Sequence, residues 1–144
     1  MPVTVRKRML KTLMRIETAA DAAAIIRAEL PKVQNEERVF VLPLDSHGKV
    51  LAKPILVSVG HQDGAATIDP GAIFREALKA GAEEIIVAHN HPSGNLTPSK
   101  ADIMVTKELK DLAGRLNVNL IDHVILGESN STSAYISLAE LGLL

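Results

Sequence analysis

The run Glu84-Ile85-Ile86-Val87-Ala88-His89-Asn90-His91-Pro92-Ser93-Gly94-Asn95-Leu96-Thr97-Pro98-Ser99-Lys100-Ala101-Asp102 decides how this chain is read. Glu84–His89 reads as a buried strand, since four apolar residues follow one another without alternation. His89 and His91 lie two apart at its end, so both rings leave the same face with Cβ atoms about 6.5–7 Å apart. That is close enough for both imidazoles to reach one ion. Pro92 holds His91 extended and ends the strand, and Gly94 lets the chain turn. A long helix is then predicted from about Ser99 to Leu116, with Ile103, Leu109, Leu112, Ala113 and Leu116 facing inward. Ser99 and Asp102 share a face of that helix, so its first turn can swing a carboxylate over the two histidines. Two imidazoles and one carboxylate suit Zn²⁺, and three ligands without a fourth leave the open position that a catalytic zinc needs. The same Ser99-x-x-Asp102 spacing is a capping box, which explains both residues without a metal. It does not explain two histidines ending an apolar strand beside a Gly/Pro loop.

Working outward, Asp69-Pro70 opens a helix that Gly81 can close, with Ile73, Phe74, Ala77 and Leu78 as its apolar stripe. Arg38–Leu44 and Lys49–Val59 read as strands flanking a hairpin turn at Asp45-Ser46-His47-Gly48. Thr18-x-x-Asp21 reads as a capping box, and Pro31 stops its helix after Leu30. Asn119–Leu126 is another strand, and Ala134–Ser137 a short last one. The order of elements points to an α/β domain with a mixed sheet. Residues 1–16 carry Arg6, Lys7, Arg8, Lys11 and Arg15 with no acid, and read as a basic amphipathic helix or extension.

The remaining histidines read as structural or solvated. His47 sits at a hairpin tip and His61 in a polar loop. Asp122-His123 reads as a mutually satisfied pair on a strand, and Asn90 and Ser93 as residues that hold the motif turn.

Composition narrows the function. The chain has 144 residues, 47% hydrophobic and 23% charged, which suits one globular domain. Aromatic residues make up 2%, too few for a base-stacking surface, and the net charge of −1 gives no basic excess to hold a phosphate backbone. Cysteine is absent, which excludes disulfides, thiolate metal sites and the Cys ligands of zinc nucleobase deaminases. No apolar run reaches the ~18 residues of a membrane span, and no secretory signal is evident, so a cytoplasmic location is expected.

The segment resembles the JAMM metalloprotease signature: His89-x-His91, seven residues, Ser99, two residues, Asp102. HNHPSG followed by PSKAD is similar, more narrowly, to the RadC family, the bacterial branch of the JAB/MPN fold. Phe74–Leu78, Thr106–Leu109, Ile121–Ile125 and Ser137–Leu144 agree with it. The resemblance runs from about Glu17 to the C-terminus. It implies a single JAB/MPN-like domain over residues 17–144, with a mixed β-sheet, flanking helices and a cytidine-deaminase-like architecture. It also implies that His89, His91 and Asp102 hold one Zn²⁺ per chain. Ser99 would then hydrogen-bond the developing oxyanion or the water. The family's catalytic Glu precedes the strand that leads into the hairpin, a place that Glu37 fits. Glu36 is the alternative, and strand alternation points the two in opposite directions. The bland reading makes both solvated connector charges.

The expected function is therefore a zinc-dependent JAMM-type hydrolase that cleaves a peptide or isopeptide bond of a protein or peptide substrate by metal-activated water. The alternative is a DNA-repair or DNA-metabolism accessory of the RadC type, with the basic N-terminal stretch as its handle. RadC proteins usually carry a helix-hairpin-helix module that these residues leave no room for, and the net charge also argues against DNA. An inactive JAB/MPN scaffold ranks last, since all three ligands are present. The family tends to have Pro-Arg where this chain has Pro70-Gly71, away from the ligands. An apolar stripe on the first helix could support a homodimer.

Overall fold

A computed structural model describes residues 14–60, 68–127 and 134–144. In chain order the elements are α1 (Ala19–Arg27), β1 (Arg38–Leu44), β2 (Ile55–Val59), α2 (Pro70–Lys79), β3 (Glu84–Asn90), α3 (Lys100–Arg115), β4 (Asn119–Leu126) and β5 (Tyr135–Ser137). Each helix opens on a cap written in the sequence. Thr18 and Asp21 form a reciprocal capping box on α1, and Ser99 and Asp102 form one on α3. Asp69 accepts from the Gly71 N–H at the start of α2, where Pro70 fills a position that needs no donor.

The five strands form one mixed sheet in the order β2-β1-β3-β4-β5. β3 and β4 are parallel and joined through α3, while the β1–β2, β1–β3 and β4–β5 pairs are antiparallel. Alternation along the strands feeds two cores. Phe40, Leu42, Ile86 and Ala88 face α1, where Ala22 and Ile26 are buried. Val39, Val41, Ile85 and Val87 face α2 and α3, meeting Ile73 and Leu109. The α/β domain and mixed sheet expected from the sequence are what the structure has, with helices covering both faces.

A bulge in β4 matters for the site. Ile85 pairs with Leu120 and Ile86 with Asp122, so Ile121 is the extra residue. Leu120 and His123 are three apart and would otherwise point to opposite faces. The bulge turns both toward α2 and α3, where Leu120 joins the core and His123 meets Thr106.

Several expectations are corrected. The strand expected over Lys49–Val59 is interrupted: Val50 makes one bridge to Leu44, and β2 begins only after Pro54, which has no N–H to give a ladder. α1 ends at Arg27, because the last turn tightens into i→i−3 bonds from Glu29 and Leu30 ahead of Pro31. Leu78 is 50% exposed and Leu116 is exposed too, so neither belongs to the core. The N-terminal helix and its stripe, like His61, fall mostly on residues outside the described ones. The end that is described, Met14–Ile16, is extended and bonds to Gly48 and Val50. Among the described residues no helix is long and apolar enough to cross a membrane.

Candidate metal centre

The site lies at the carboxyl end of β3, where antiparallel β1 begins. Val39 pairs with His89, so extending the register places Glu37 beside His91, on the same face. The first turn of α3 supplies Asp102. His89 is fully buried, Glu37 and Asp102 nearly so, and His91 stands at the rim with 17% of its side chain exposed. His89 Nε2 lies 3.1 Å from His91 Nε2, 3.3 Å from Asp102 Oδ1 and 3.7 Å from Glu37 Oε1. His91 Nε2 is 3.4 Å from Asp102 Oδ2. Ligands at zinc distances on a tetrahedron stand about 3.3–3.4 Å apart. The His89–His91 separation is close to one edge of such a tetrahedron, and Asp102 faces His89 with Oδ1 and His91 with Oδ2. Ligand atoms of Glu37, His89 and His91 also fall within 4.8 Å of one another.

Hydrogen bonds behind the rings decide what faces inward. Thr106 Oγ1 lies 2.6 Å from the Asp102 carbonyl, which can only accept, so the single hydroxyl proton goes there. His123 Nδ1, 2.7 Å from the same oxygen, must then donate to it. Burial pushes the His123 imidazolium pKa down to about 3, with His89 nearby adding to the effect, so the ring is neutral near pH 7. Its Nε2 thus accepts from His89 Nδ1 at 2.8 Å. A neutral His89 is left with a bare Nε2. His91 Nδ1 contacts the Asn95 carbonyl at 2.5 Å and donates, which leaves its Nε2 bare as well. Two lone pairs and a carboxylate converge on one point, and only a proton or a cation satisfies them.

The electrostatics agree. Burial is the largest influence on Asp102 and raises its pKa. Where protons rather than a cation occupy the two Nε2 atoms, hydrogen bonds from His89 and His91, the charge on His89 and the Ser99 N–H outweigh it, and hold the carboxyl well below the usual range. The same carboxylate raises the pKa of His91 against the opposing effect of burial, with the Asn95 carbonyl next in importance. The donor set of two imidazoles and one carboxylate fits a divalent metal.

Ser99 stands at the α3 cap. Its Oγ accepts from the Asp102 N–H at 3.0 Å, and its own N–H donates to Asp102 Oδ2 at 2.9 Å. Capping and facing the histidines are thus compatible uses of one carboxylate. Glu36 turns away from the histidines, toward Arg38 at 3.4 Å. Ser93 holds the loop turn as expected, accepting from the Asn95 N–H at 3.3 Å. Asn90 does something else: its Oδ1 accepts from the Arg38 N–H at 2.6 Å, and its Nδ2 donates to Gln34 Oε1 and the Glu36 carbonyl, both at 3.1 Å. It clamps the segment that carries Glu37. The expected Asp122–His123 side-chain pair is not what forms. Asp122 accepts from Ser137 Oγ and from the His123 and Ala139 backbone N–H groups, while the His123 ring turns to His89 and Thr106. The signals available for His123 and Thr106 were a histidine on an apolar strand and a threonine one helical turn after Asp102.

The family model described as RadC-like JAB domain matches residues 16–143. A UPF0758 protein of Clostridium perfringens is 35% identical over 133 residues, which cover 92% of this chain and 56% of the relative. A UPF0758 protein of Clostridium novyi is 40% identical over 129 residues, covering 90% of this chain and 54% of the relative. A third, from Carboxydothermus hydrogenoformans, is 44% identical over 100 residues, with 69% of this chain and 43% of the relative covered. The chain spans about half the length of these curated relatives.

Proposed function

The chain belongs to the RadC-like JAB domain family, and on that premise we propose that it is a zinc-dependent hydrolase that cleaves a peptide or isopeptide bond of a protein or peptide substrate. The observation that carries this reading is the convergence of His89, His91 and the Asp102 carboxylate within 3.1–3.4 Å contacts, with Glu37 on the same face. A zinc ion held by His89, His91 and Asp102 would polarise a carbonyl and lower the pKa of water toward ~7. Glu37 takes a proton from water as the water oxygen attacks the carbonyl carbon. It returns that proton to the nitrogen as the C–N bond breaks. Ser99 spends one lone pair on the Asp102 N–H and keeps its O–H to donate to the developing oxyanion. His91, at the rim, marks the side from which a carbonyl can approach.

The test is metal content, followed by hydrolysis of peptide and isopeptide-linked substrates. Wild-type protein is expected to hold about one zinc per chain, and His91→Ala and Asp102→Ala to lose it. Glu37→Gln should keep the zinc and lose hydrolysis by about 100-fold or more. A wild-type chain that takes up no zinc overturns the metal centre. Full hydrolysis by Glu37→Gln overturns the assignment of the base.

A further inference from the structure

We propose that His123 and Thr106 act as positioning residues: a relay from the Asp102 carbonyl through Thr106 and His123 fixes the tautomer of His89, so that its Nε2 lone pair faces the centre. The proposal rests on the reading of His89 as a metal ligand.

The relay has one consistent direction. The Asp102 carbonyl accepts from Thr106 Oγ1, Thr106 Oγ1 accepts from His123 Nδ1, and His123 Nε2 accepts from His89 Nδ1. A hydroxyl has one proton, and it is committed to a carbonyl that can only accept. With one proton on each ring, as buried imidazoles hold at pH 8, the direction of every other bond follows. All three side chains are buried, at 0–1% exposure, so water does not offer them alternative partners. The β4 bulge at Ile121 brings His123 to this face, and Thr106 lies one helical turn beyond Asp102. The relay therefore starts on the main chain of one ligand residue and ends on the ring of another. Anything that shifts the first turn of α3 reaches His89 by this route as well as through the Asp102 carboxylate.

Nitrogen-15 NMR of the metal-free protein at pH 8 reads the tautomers directly. His123 is expected as the Nδ1–H form and His89 as the Nδ1–H form. Zinc affinity is then measured by competition with a chelator of known affinity. Thr106→Val keeps the shape and removes the hydroxyl. It should release the tautomer preference and weaken zinc by about 10–100-fold, the range for outer-shell partners of metal-bound histidines. Thr106→Ser should restore both the tautomer and the affinity. His123→Gln is a second probe, with the amide spectrum showing whether the fold survives. An Nε2–H tautomer at His123 in the wild type overturns the relay. So does a folded Thr106→Val that binds zinc as tightly as the wild type. If the wild type has the expected tautomers but takes up no zinc, the relay is supported and the metal-centre reading falls.

Discussion

One carboxylate, that of Asp102, closes the α3 cap with Oδ2 while Oδ1 faces His89. The two roles can be separated by Asp102→Asn, which keeps an oxygen for the Ser99 N–H and removes the charge. In the metal-free protein this variant keeps the cap but loses the contacts that hold the carboxyl below its usual range, so it should be less stable than wild type at pH 7, with the gap closing as pH falls below about 4. Zinc uptake should collapse as well. Denaturant unfolding and metal content, measured on the same preparation, check both halves. Asn90 calls for the opposite experiment. Asn90→Ala orphans the Arg38 N–H and the Glu36 carbonyl beneath the site. It is expected to cost about 1–3 kcal/mol in denaturant unfolding while leaving His89, His91 and Asp102 in place. The cap made by Asp102 and its approach to the histidines were legible, because a capping box and a His-x-His followed by a helix start are local patterns. Those of Asn90, His123 and Thr106 were not. Asn90 reaches back 52 residues to Arg38, and His89 reaches forward 34 to His123. Such pairings depend on which strands neighbour one another, and no short window of sequence contains that.

At the scale of elements, the sequence was most reliable where a single residue type does a single physical job. Thr18, Asp69 and Ser99 each supply an oxygen to a helix start, and all three helices begin where those residues stand. β1 and β4 have the predicted bounds because their apolar runs are long and free of proline at positions that must donate inward. The second hairpin arm was less legible, since Pro54 acts on the ladder of a neighbour rather than on its own apolar pattern. The β4 bulge left no local mark. The α1 cap gives a prediction with a definite sign. The Asp21 carboxyl lies below its ordinary pKa because the Glu17 and then the Thr18 backbone N–H groups donate to it. Its folded form is thus ionised preferentially. The stabilisation is fully present above the unfolded pKa near 3.9 and is lost as pH falls through the lowered folded value. Asp21→Asn should therefore be less stable than wild type at pH 7, and the gap should close below about pH 4. Thr18→Ala should cost about 1 kcal/mol at both pH values, since its hydroxyl does not titrate. Thermal unfolding across pH distinguishes the two variants.

For the molecule as a whole, the site joins three segments far apart in the chain: the approach to β1, the end of β3 and the first turn of α3. In the metal-free chain this junction carries converging lone pairs and carboxylates, a local cost borne by the two cores on either side of the sheet. An ion held by His89, His91 and Asp102 would cross-link the end of β3 to the first turn of α3, face Glu37 on the approach to β1, and remove that cost. Zinc at about 100 times its dissociation constant should raise unfolding free energy by about 2.7 kcal/mol, and a chelator should reverse the rise. His91→Ala should unfold at the same point with or without zinc, because the cross-link is then incomplete. The location of the effect is a sharper test than its size. Hydrogen exchange with and without zinc should slow around Gln34–Val39, His89–His91 and the first turn of α3. α1, on the opposite face of the sheet, should exchange as before. Zinc protection spread evenly over both faces would mean that the ion stabilises the fold globally, from somewhere other than this junction. Protection confined to the junction would tie the chemistry proposed for Glu37 to the one place where β1, β3 and α3 meet.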